Sequence, residues 1–171
     1  MERVNCEAVL PQVMKQIKHG AFLTALAGDD MNTMTIGWAS LGFIWGKRVL
    51  TVAVRPVRHT FGIIERAADF TVSVPLDGMD KELAFCGTNS GKNGDKLEKC
   101  GLEVFPSLKV RTPIIQVPGI HYECRIVYKS AMDPKNLVDD YKSLYPQKDY
   151  HTLYYGEIVE CYSTADEKAE A

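Results

Sequence analysis

The chain has 171 residues, of which 46% are hydrophobic and 25% are charged, and its formal net charge is −2. These values are ordinary for a globular protein, and a domain of this size buries about two-thirds of the surface that its unfolded chain exposes. The nearly balanced charge, with basic residues scattered, argues against nucleic acid or an anionic membrane as a partner. We expect a single domain over residues 1–171.

The cysteines and the chain start bear on the compartment. The first residues lack the basic segment followed by an apolar run that marks a secretory signal, and no apolar stretch reaches the roughly 18 residues of a membrane span. The five cysteines form no C-x-x-C pair, and the four histidines are scattered. The sequence therefore predicts a cytoplasmic protein with reduced thiols and without a metal site.

The first third of the chain predicts strands separated by glycine turns. Residues 22–27 and 34–40 have strand patterns on either side of a turn at Gly28. Residues 49–54 are apolar on both faces, which is typical of a central strand, and Pro56 ends that strand.

The rest of the chain mixes short helices with strands. Residues 60–68 predict a helix, because Phe61 and Ile64 share one face and the Thr60 hydroxyl can serve as an N-cap. The later elements, in chain order, are a strand at 70–74, helices at 77–85 and 95–100, strands at 114–117 and 121–128, a helix at 134–142 and a strand at 153–162. Because strands and helices do not alternate regularly, the pattern favours a mostly β fold of six or seven antiparallel strands, as a small barrel or sandwich.

Two strand-like segments carry more than core residues. Residues 32–40 combine hydroxyl groups, Gly37 and Trp38, and residues 151–157 place polar and aromatic side chains around Gly156. Small residues let a planar ligand approach the backbone, and hydroxyls hydrogen-bond to its polar edges. The alternative is that both segments are ordinary half-buried strands.

Two further segments could bind phosphate. Residues 55–60 place two guanidiniums, an imidazole and a hydroxyl before a predicted helix, which suits an oxyanion, although a solvated charged turn has the same composition. Residues 88–96 are rich in glycine and polar groups but do not match G-x-x-x-x-G-K-[ST], so they predict either a loop that wraps a ligand or a plain flexible loop. The chain has no G-x-S-x-G or H-E-x-x-H motif, which favours chemistry carried by a bound cofactor.

Five motifs in order resemble the flavin reductase-like proteins with an FMN-binding split barrel, and most closely the flavoredoxin branch. They are N-x-M-T-I-x-W-A-S, R-P-x-R-x-T, F-x-V-S-V-P, S-G-K-N-x-D-K and H-x-x-x-Y-G-E. The resemblance covers about residues 10–162. It implies a six-stranded antiparallel Greek-key split β-barrel, and a homodimer with FMN near the subunit interface.

The resemblance also implies a role for particular residues. Those expected along the isoalloxazine ring are Asn32, Met34, Thr35 and Trp38, and those expected at the ribityl chain and phosphate are Ser40, Arg55, Arg58, His59 and Thr60. Residues expected to close over the flavin, from the same or the partner subunit, are Asn89, Ser90, Gly91 and Lys96. His151 matches a histidine near the flavin and the nicotinamide and is the catalytic candidate, although the family's common Gly-Asp-His reads Asp149-Tyr150-His151 here.

Three functions fit this resemblance. The first is an FMN-dependent oxidoreductase that passes electrons from NADH, NADPH or a protein donor to free flavin, ferric complexes or a redox partner. The second is a non-enzymatic FMN electron carrier that exchanges electrons with protein partners. The third is a ligand-binding or storage module on the same barrel.

Overall fold

The computed structural model describes residues 1–164, and its main feature is one large antiparallel sheet. The strands are β1 (Glu2–Arg3), β2 (Ala21–Ala27), β3 (Asp30–Ile36), β4 (Ala39–Ile44), β5 (Lys47–Val54), β6 (Asp69–Pro75), β7 (Val104–Phe105), β8 (Ile114–Ile115), β9 (Gly119–Ala131) and β10 (Thr152–Thr164). The helices are α1 (Leu10–Ile17), α2 (His59–Ile64), α3 (Asp80–Thr88), α4 (Lys96–Cys100) and α5 (Asp139–Lys142), with a 3-10 helix at Gly91–Asn93. Within the described residues, no helix has both the length and the apolar character needed to cross a bilayer.

The strand order closes the sheet into a split barrel. Neighbouring strands run in the order β3-β2-β6-β9-β10-β5-β4, with β1 added to β10 and with β7 and β8 forming a separate pair. Only Gly37 and Trp38 separate β3, at one end of this order, from β4, at the other end. The two ends must therefore lie close together, so the sheet curls on itself and leaves a seam at Gly37–Trp38. This confirms the mostly β, antiparallel split-barrel prediction.

The barrel interior is filled by alternating side chains of the long strands. Phe70, Tyr122 and Tyr154 are fully buried there, and Val13 and Ile17 of α1 join the same cluster. Burying one such apolar side chain contributes about 1.5–3 kcal/mol. A second cluster lies between the sheet and α3, and it contains fully buried or nearly buried residues such as Phe22, Leu83 and Ile115. This second cluster fixes α3 beside β3, where the candidate site forms.

Gly156 serves the barrel core. A Cβ atom at Gly156 would lie 2.6 Å from Cβ of Cys124 and 2.6 Å from Cζ of Phe70, so the β10 backbone passes too close to these side chains for any other residue. The glycine of the 151–157 segment is therefore explained by packing inside the barrel, whereas the segment's first residue, His151, faces the candidate site.

Several predicted elements have different bounds. The predicted strand at 34–40 is interrupted at Gly37–Trp38, and the described sheet has eight strands instead of the expected six: seven in the main order and β1 beside β10. The helix predicted at 77–85 begins only at Asp80, after Gly78 adopts a φ of 71°. The helix predicted at 134–142 is reduced to α5, because the residues before α5 form a turn. In this turn, the Asp133 side chain accepts a hydrogen bond from the backbone N–H of Lys135, and the Asp133 carbonyl oxygen accepts one from that of Asn136.

Candidate functional site

A cavity opens at the barrel seam. It has a volume of about 390 Å³, within the range of pockets that hold small cofactors. Its walls come from the end of β3, the seam, the end of β5 and the start of β10. The lining residues are Met34, Thr35, Ile36, Gly37, Trp38, Ala53, Arg55, Arg58 and His151. We call this space the seam cavity.

A smaller pocket, lined mainly by polar residues, adjoins the seam cavity. It has a volume of about 90 Å³ and shares Met34 and Arg58 with the larger space, so the two spaces are direct neighbours, and we call them together the cleft. The lining residues are Asn32, Met34, Val57, Arg58, His59, Thr60, Cys86, Thr88, Asn89, Ser90, Gly91 and Lys96. We call this space the polar pocket; β3, α2, the end of α3 and the loop before α4 build it.

Lys96 is a buried cation in the polar pocket. Lys96 is only 5% exposed, and its Nζ donates to the carbonyl oxygen of Cys86 at 3.1 Å. Among the described residues, it has no carboxylate partner within ion-pair distance. Burial, and secondarily the neighbouring Arg58 charge, lower the pKa of Lys96. An anion in the polar pocket would offset this cost, since a buried charge needs an opposite charge.

The other polar groups of the pocket add hydrogen bonds without adding negative charge. Burial raises the pKa of Cys86 to about 11, so its thiol stays neutral. Asn32 Nδ2 donates to Thr60 Oγ1 at 2.7 Å, which leaves the Thr60 hydroxyl proton free to donate to a ligand. This bond also corrects the predicted N-cap role of Thr60. The N-cap position of α2 is Arg58, and α2 begins one residue before Thr60, which is fully buried.

Gly91 allows the loop before α4 to close the pocket. A Cβ atom at Gly91 would fall on Oδ1 of Asn32 and would lie 2.8 Å from Cδ2 of His59. Ser90 stabilises this loop, because its Oγ accepts a hydrogen bond from the backbone N–H of Lys92. The loop is thus pressed against β3 and α2, and only a glycine fits at the contact.

Arg55 and Arg58 are three residues apart in sequence but have different roles. Arg58 Nη1 donates to the carbonyl oxygen of Gly87 at 2.8 Å, which places its guanidinium between the two spaces. Arg55 Nη1 instead donates to both carboxylate oxygens of Asp149, at 3.1 and 3.0 Å, and Nη2 donates to the carbonyl oxygen of Leu144. The Arg55 bond holds the pKa of Asp149 below its usual range. The charge of Arg55 is therefore matched inside the protein.

His151 lies in the wall of the seam cavity beside two aromatic rings. Its Nδ1 is 2.8 Å from the hydroxyl of buried Tyr145, and the centroid of its ring is 4.8 Å from that of Trp38. Burial, followed by the positive charge of Arg55, lowers the pKa of His151 to about 4, so the imidazole is neutral near pH 7. Arg55 also lies over the Tyr145 ring, 5.1 Å from its centroid, and ties this aromatic group to the end of β5.

The cleft brings together all of the residues predicted for the site except Ser40. Ser40 pairs with Thr51 in the β4–β5 ladder and is not among the described residues that line either space. Arg55, predicted at the phosphate, lines the seam cavity only. The loop residues, predicted from the same or the partner subunit, line the polar pocket with α2 of their own chain. Sequence reasoning missed Cys86 and Tyr145, which lie outside the recognised motifs.

A comparison with protein families decides where this chain belongs. The model of the flavin reductase like domain matches residues 14–171. The chain belongs to the flavin reductase-like family. Family membership supports a flavin-related redox function, and the structural neighbours support the flavoredoxin branch.

One curated protein and two solved structures show what the chain is similar to. An uncharacterised protein of Archaeoglobus fulgidus is 30% identical over 138 residues, which are 81% of this chain and 68% of the relative. The crystal structure of flavoredoxin from Methanosarcina acetivorans has a TM-score of 0.67 and 27% identity over 85% of this chain and 68% of its own. Flavoredoxin of Desulfovibrio vulgaris (Miyazaki F) has a TM-score of 0.67 and 21% identity over 87% and 70% of the two chains, which shows the same fold. The chain spans about two-thirds of the length of these relatives.

Proposed function

We propose that this chain binds FMN across the two adjoining spaces of the cleft and passes electrons from NADH, NADPH or a protein donor to free flavin, a ferric complex or a redox partner. The observation that carries the proposal is Lys96, a buried cation that lacks a carboxylate partner among the described residues and lines a pocket beside a cofactor-sized cavity. FMN has the matching shape, with a doubly charged phosphate at one end and a flat ring at the other.

The polar pocket suits the phosphate. Lys96 and Arg58 supply positive charge, and the Thr60 hydroxyl supplies a further donor. Charge-assisted hydrogen bonds of this kind are roughly twice as strong as neutral ones. The positive charge comes from these side chains more than from α2, which has only six residues. Gly91 brings the loop close enough for Asn89 and Ser90 to cover the bound group.

The seam cavity suits the isoalloxazine ring. Gly37 and Ala53 are small residues that line the cavity and so leave room for a flat ring, and the exposed ring of Trp38 offers a flat apolar surface beside it. The hydroxyl of Thr35 donates to the carbonyl oxygen of Leu83 at 2.6 Å, which fixes β3 against α3 and holds this wall rigid. A rigid wall orients a planar ligand without a cost in side-chain ordering.

When bound, FMN supplies the electron-transfer chemistry. The residues of the chain bind its phosphate at one end of the cleft and hold a neutral imidazole at the other. Among the described residues, no three His, Cys, Asp or Glu side chains are grouped as metal ligands. Because the flavin would carry the electron-transfer chemistry, we assign the chain's own residues to binding and orientation.

An anaerobic spectrum tests the enzyme proposal. The protein is reconstituted with FMN, freed of excess flavin, and mixed with NADH or NADPH in separate samples. Loss of the visible flavin absorbance within seconds supports a nicotinamide-dependent oxidoreductase. A preparation that fails to retain FMN contradicts the cofactor proposal itself.

A second candidate function is an electron carrier without nicotinamide turnover. The 27% identical neighbour is a flavoredoxin, and the Gly-Asp-His sequence common in the family is Asp149-Tyr150-His151 here, with Asp149 engaged by Arg55. Reduction of the bound flavin by a reduced partner protein, with no response to NADH or NADPH, favours the carrier. Bound flavin that responds to neither reductant favours a storage module.

We further propose a homodimer in the cytoplasm. Trp45, in the turn between β4 and β5, is 63% exposed and contacts Tyr128 of β9 and Tyr155 of β10 edge-on. Exposed apolar surface of this kind commonly marks a protein interface. The five cysteines are free, as in proteins of reducing compartments. Sedimentation of the FMN-bound protein tests the dimer, and a monomer at micromolar concentration contradicts it.

A further inference from the structure

We infer that Tyr145 is a positioning residue that holds His151 as the tautomer with its proton on Nε2, so that the seam cavity presents a hydrogen-bond donor and not a base. The inference rests on the proposed function for its kinetic meaning, but its geometry stands apart from any bound flavin. It assigns a preference to the site: the group that exchanges electrons with the flavin carries an acceptor, such as a carbonyl oxygen, beside His151.

The Tyr145 hydroxyl has two partners, and they differ in strength. It lies 2.8 Å from Nδ1 of His151 and 3.3 Å from Sδ of Met132. A hydroxyl has one proton to donate, and an unprotonated imidazole nitrogen is a far better acceptor than a thioether sulfur. The proton of Tyr145 therefore goes to Nδ1. Nδ1 must then be unprotonated, which places the single proton of the neutral ring on Nε2.

The surroundings of Tyr145 keep its hydroxyl in this position. Its ring is 4% exposed, stacks on Tyr150 with centroids 4.7 Å apart, and lies beneath the Arg55 guanidinium. Arg55 is itself fixed by Asp149 and Leu144, which flank Tyr145 in the same loop. These contacts connect the loop, the end of β5 and the start of β10, and they keep the Tyr145 ring in place.

The charges around His151 keep the ring neutral over the working pH range. Arg55 and Arg58 disfavour a proton on the ring, Asp149 favours one, and the imidazole pKa is lowered to about 4 overall, with burial as the main cause. The Tyr145 hydroxyl is also neutral near pH 7, because burial raises its pKa. In the described chain, Nε2 has no hydrogen-bond partner, and its ring lines the seam cavity, so its proton is available to a ligand.

The test compares Tyr145→Phe with Tyr150→Phe in the full FMN-bound protein. Each variant removes one hydroxyl from a pair of stacked rings, but of these two hydroxyls only that of Tyr145 hydrogen-bonds to His151. We expect Tyr145→Phe to reduce the limiting rate of flavin reduction by the active electron donor about tenfold, which corresponds to one lost hydrogen bond. We expect the Kd for FMN to stay within about twofold and Tyr150→Phe to match the wild type in both measurements.

A spectroscopic measurement tests the tautomer without any electron donor. In a long-range proton–nitrogen correlation spectrum of histidine-labelled protein near pH 7, His151 is assigned by comparison with His151→Gln. Nε2 protonation with Nδ1 bare in the wild type, and a changed Nδ1 signal in Tyr145→Phe alone, support the inference. A proton on Nδ1, or equal rates and spectra in both tyrosine variants, overturns it. Failure to bind FMN contradicts the proposed function and leaves the tautomer result valid.

Discussion

Replacing Lys96 by methionine separates cofactor binding from fold stability, because the variant should bind FMN less tightly without becoming less stable. Lys96 is 5% exposed, and methionine fills nearly the same volume without the charge. If Lys96 binds the phosphate, the variant loses one charge-assisted hydrogen bond of about 1.5–3 kcal/mol. Because 1.4 kcal/mol is tenfold in affinity, the Kd for FMN should rise by about 10- to 150-fold.

The stability of the FMN-free protein should not fall in Lys96→Met. Burial lowers the pKa of Lys96, so the folded state holds this proton less tightly than the unfolded chain does. The free energy of unfolding of the wild type should therefore rise as the pH increases through the pKa of Lys96, and the variant should lose this dependence. Removal of the buried charge also removes its desolvation cost.

The assay is a pair of titrations with FMN and riboflavin, followed by flavin fluorescence. Riboflavin lacks the phosphate, so its Kd should be the same in wild type and Lys96→Met, whereas the Kd for FMN should differ. Lys99→Met is the matched control, because Lys99 lies on the same helix but is exposed. Equal losses for FMN and riboflavin, or equal effects of the two lysine variants, would refute the assignment of the polar pocket to the phosphate.

Further predictions follow from other contacts of the cleft and the core. The double variant Arg58→Ala/Thr60→Ala should weaken FMN binding by several kcal/mol, and unchanged calorimetric affinity would place the phosphate elsewhere. Gly91→Ala should weaken FMN binding, because its Cβ would fall on Asn32 Oδ1, whereas Gly62→Ala, with open space around it, should keep the affinity and raise the unfolding free energy by up to about 1 kcal/mol. Burial lowers the pKa values of His121 and His151 to about 4, so the unfolded chain binds these protons before the folded protein does. The free energy of unfolding should therefore fall as the pH decreases from 6.5 to about 4. Chemical denaturation at several pH values measures this dependence, and a flat profile contradicts it.

The class of fold could be predicted from the sequence because the strands have recognisable apolar patterns of their own. Residues 49–54 are apolar on both faces, and this segment forms the interior of β5, between β4 and β10. The break at Gly37–Trp38 was not predicted, because Trp38 favours strands and the interruption depends on the closure of the whole sheet. The N-cap at Thr60 was wrong because α2 begins at His59 with Arg58 as its N-cap residue, and the Thr60 oxygen instead accepts a hydrogen bond from a tertiary partner, Asn32.

The motifs predicted residues that line the two spaces, and they missed residues that only tertiary contacts bring there. Asn89 and Lys96 were expected at a ligand from the order of the motifs, and both line the polar pocket. Tyr145 lies in a loop with no motif, and only the fold brings its hydroxyl to His151. Arg55 could not be distinguished from Arg58 by sequence, because the carboxylate that binds Arg55 is 94 residues away.

Because Arg55 and Arg58 have different partners, the positive charge of the cleft is balanced at one end and unbalanced at the other. Asp149 balances the charge of Arg55 at the His151 end, whereas Arg58 and Lys96 have only backbone carbonyl partners among the described residues at the other end. A ligand with a negative group at one end therefore has one favourable orientation, with that group in the polar pocket and its neutral end beside His151. Asp149→Asn should weaken this distinction by releasing the charge of Arg55 into the seam cavity. The expected result is tighter binding of anionic donors at the His151 end, measured as a lower KM, and an unchanged KM contradicts this view of the cleft.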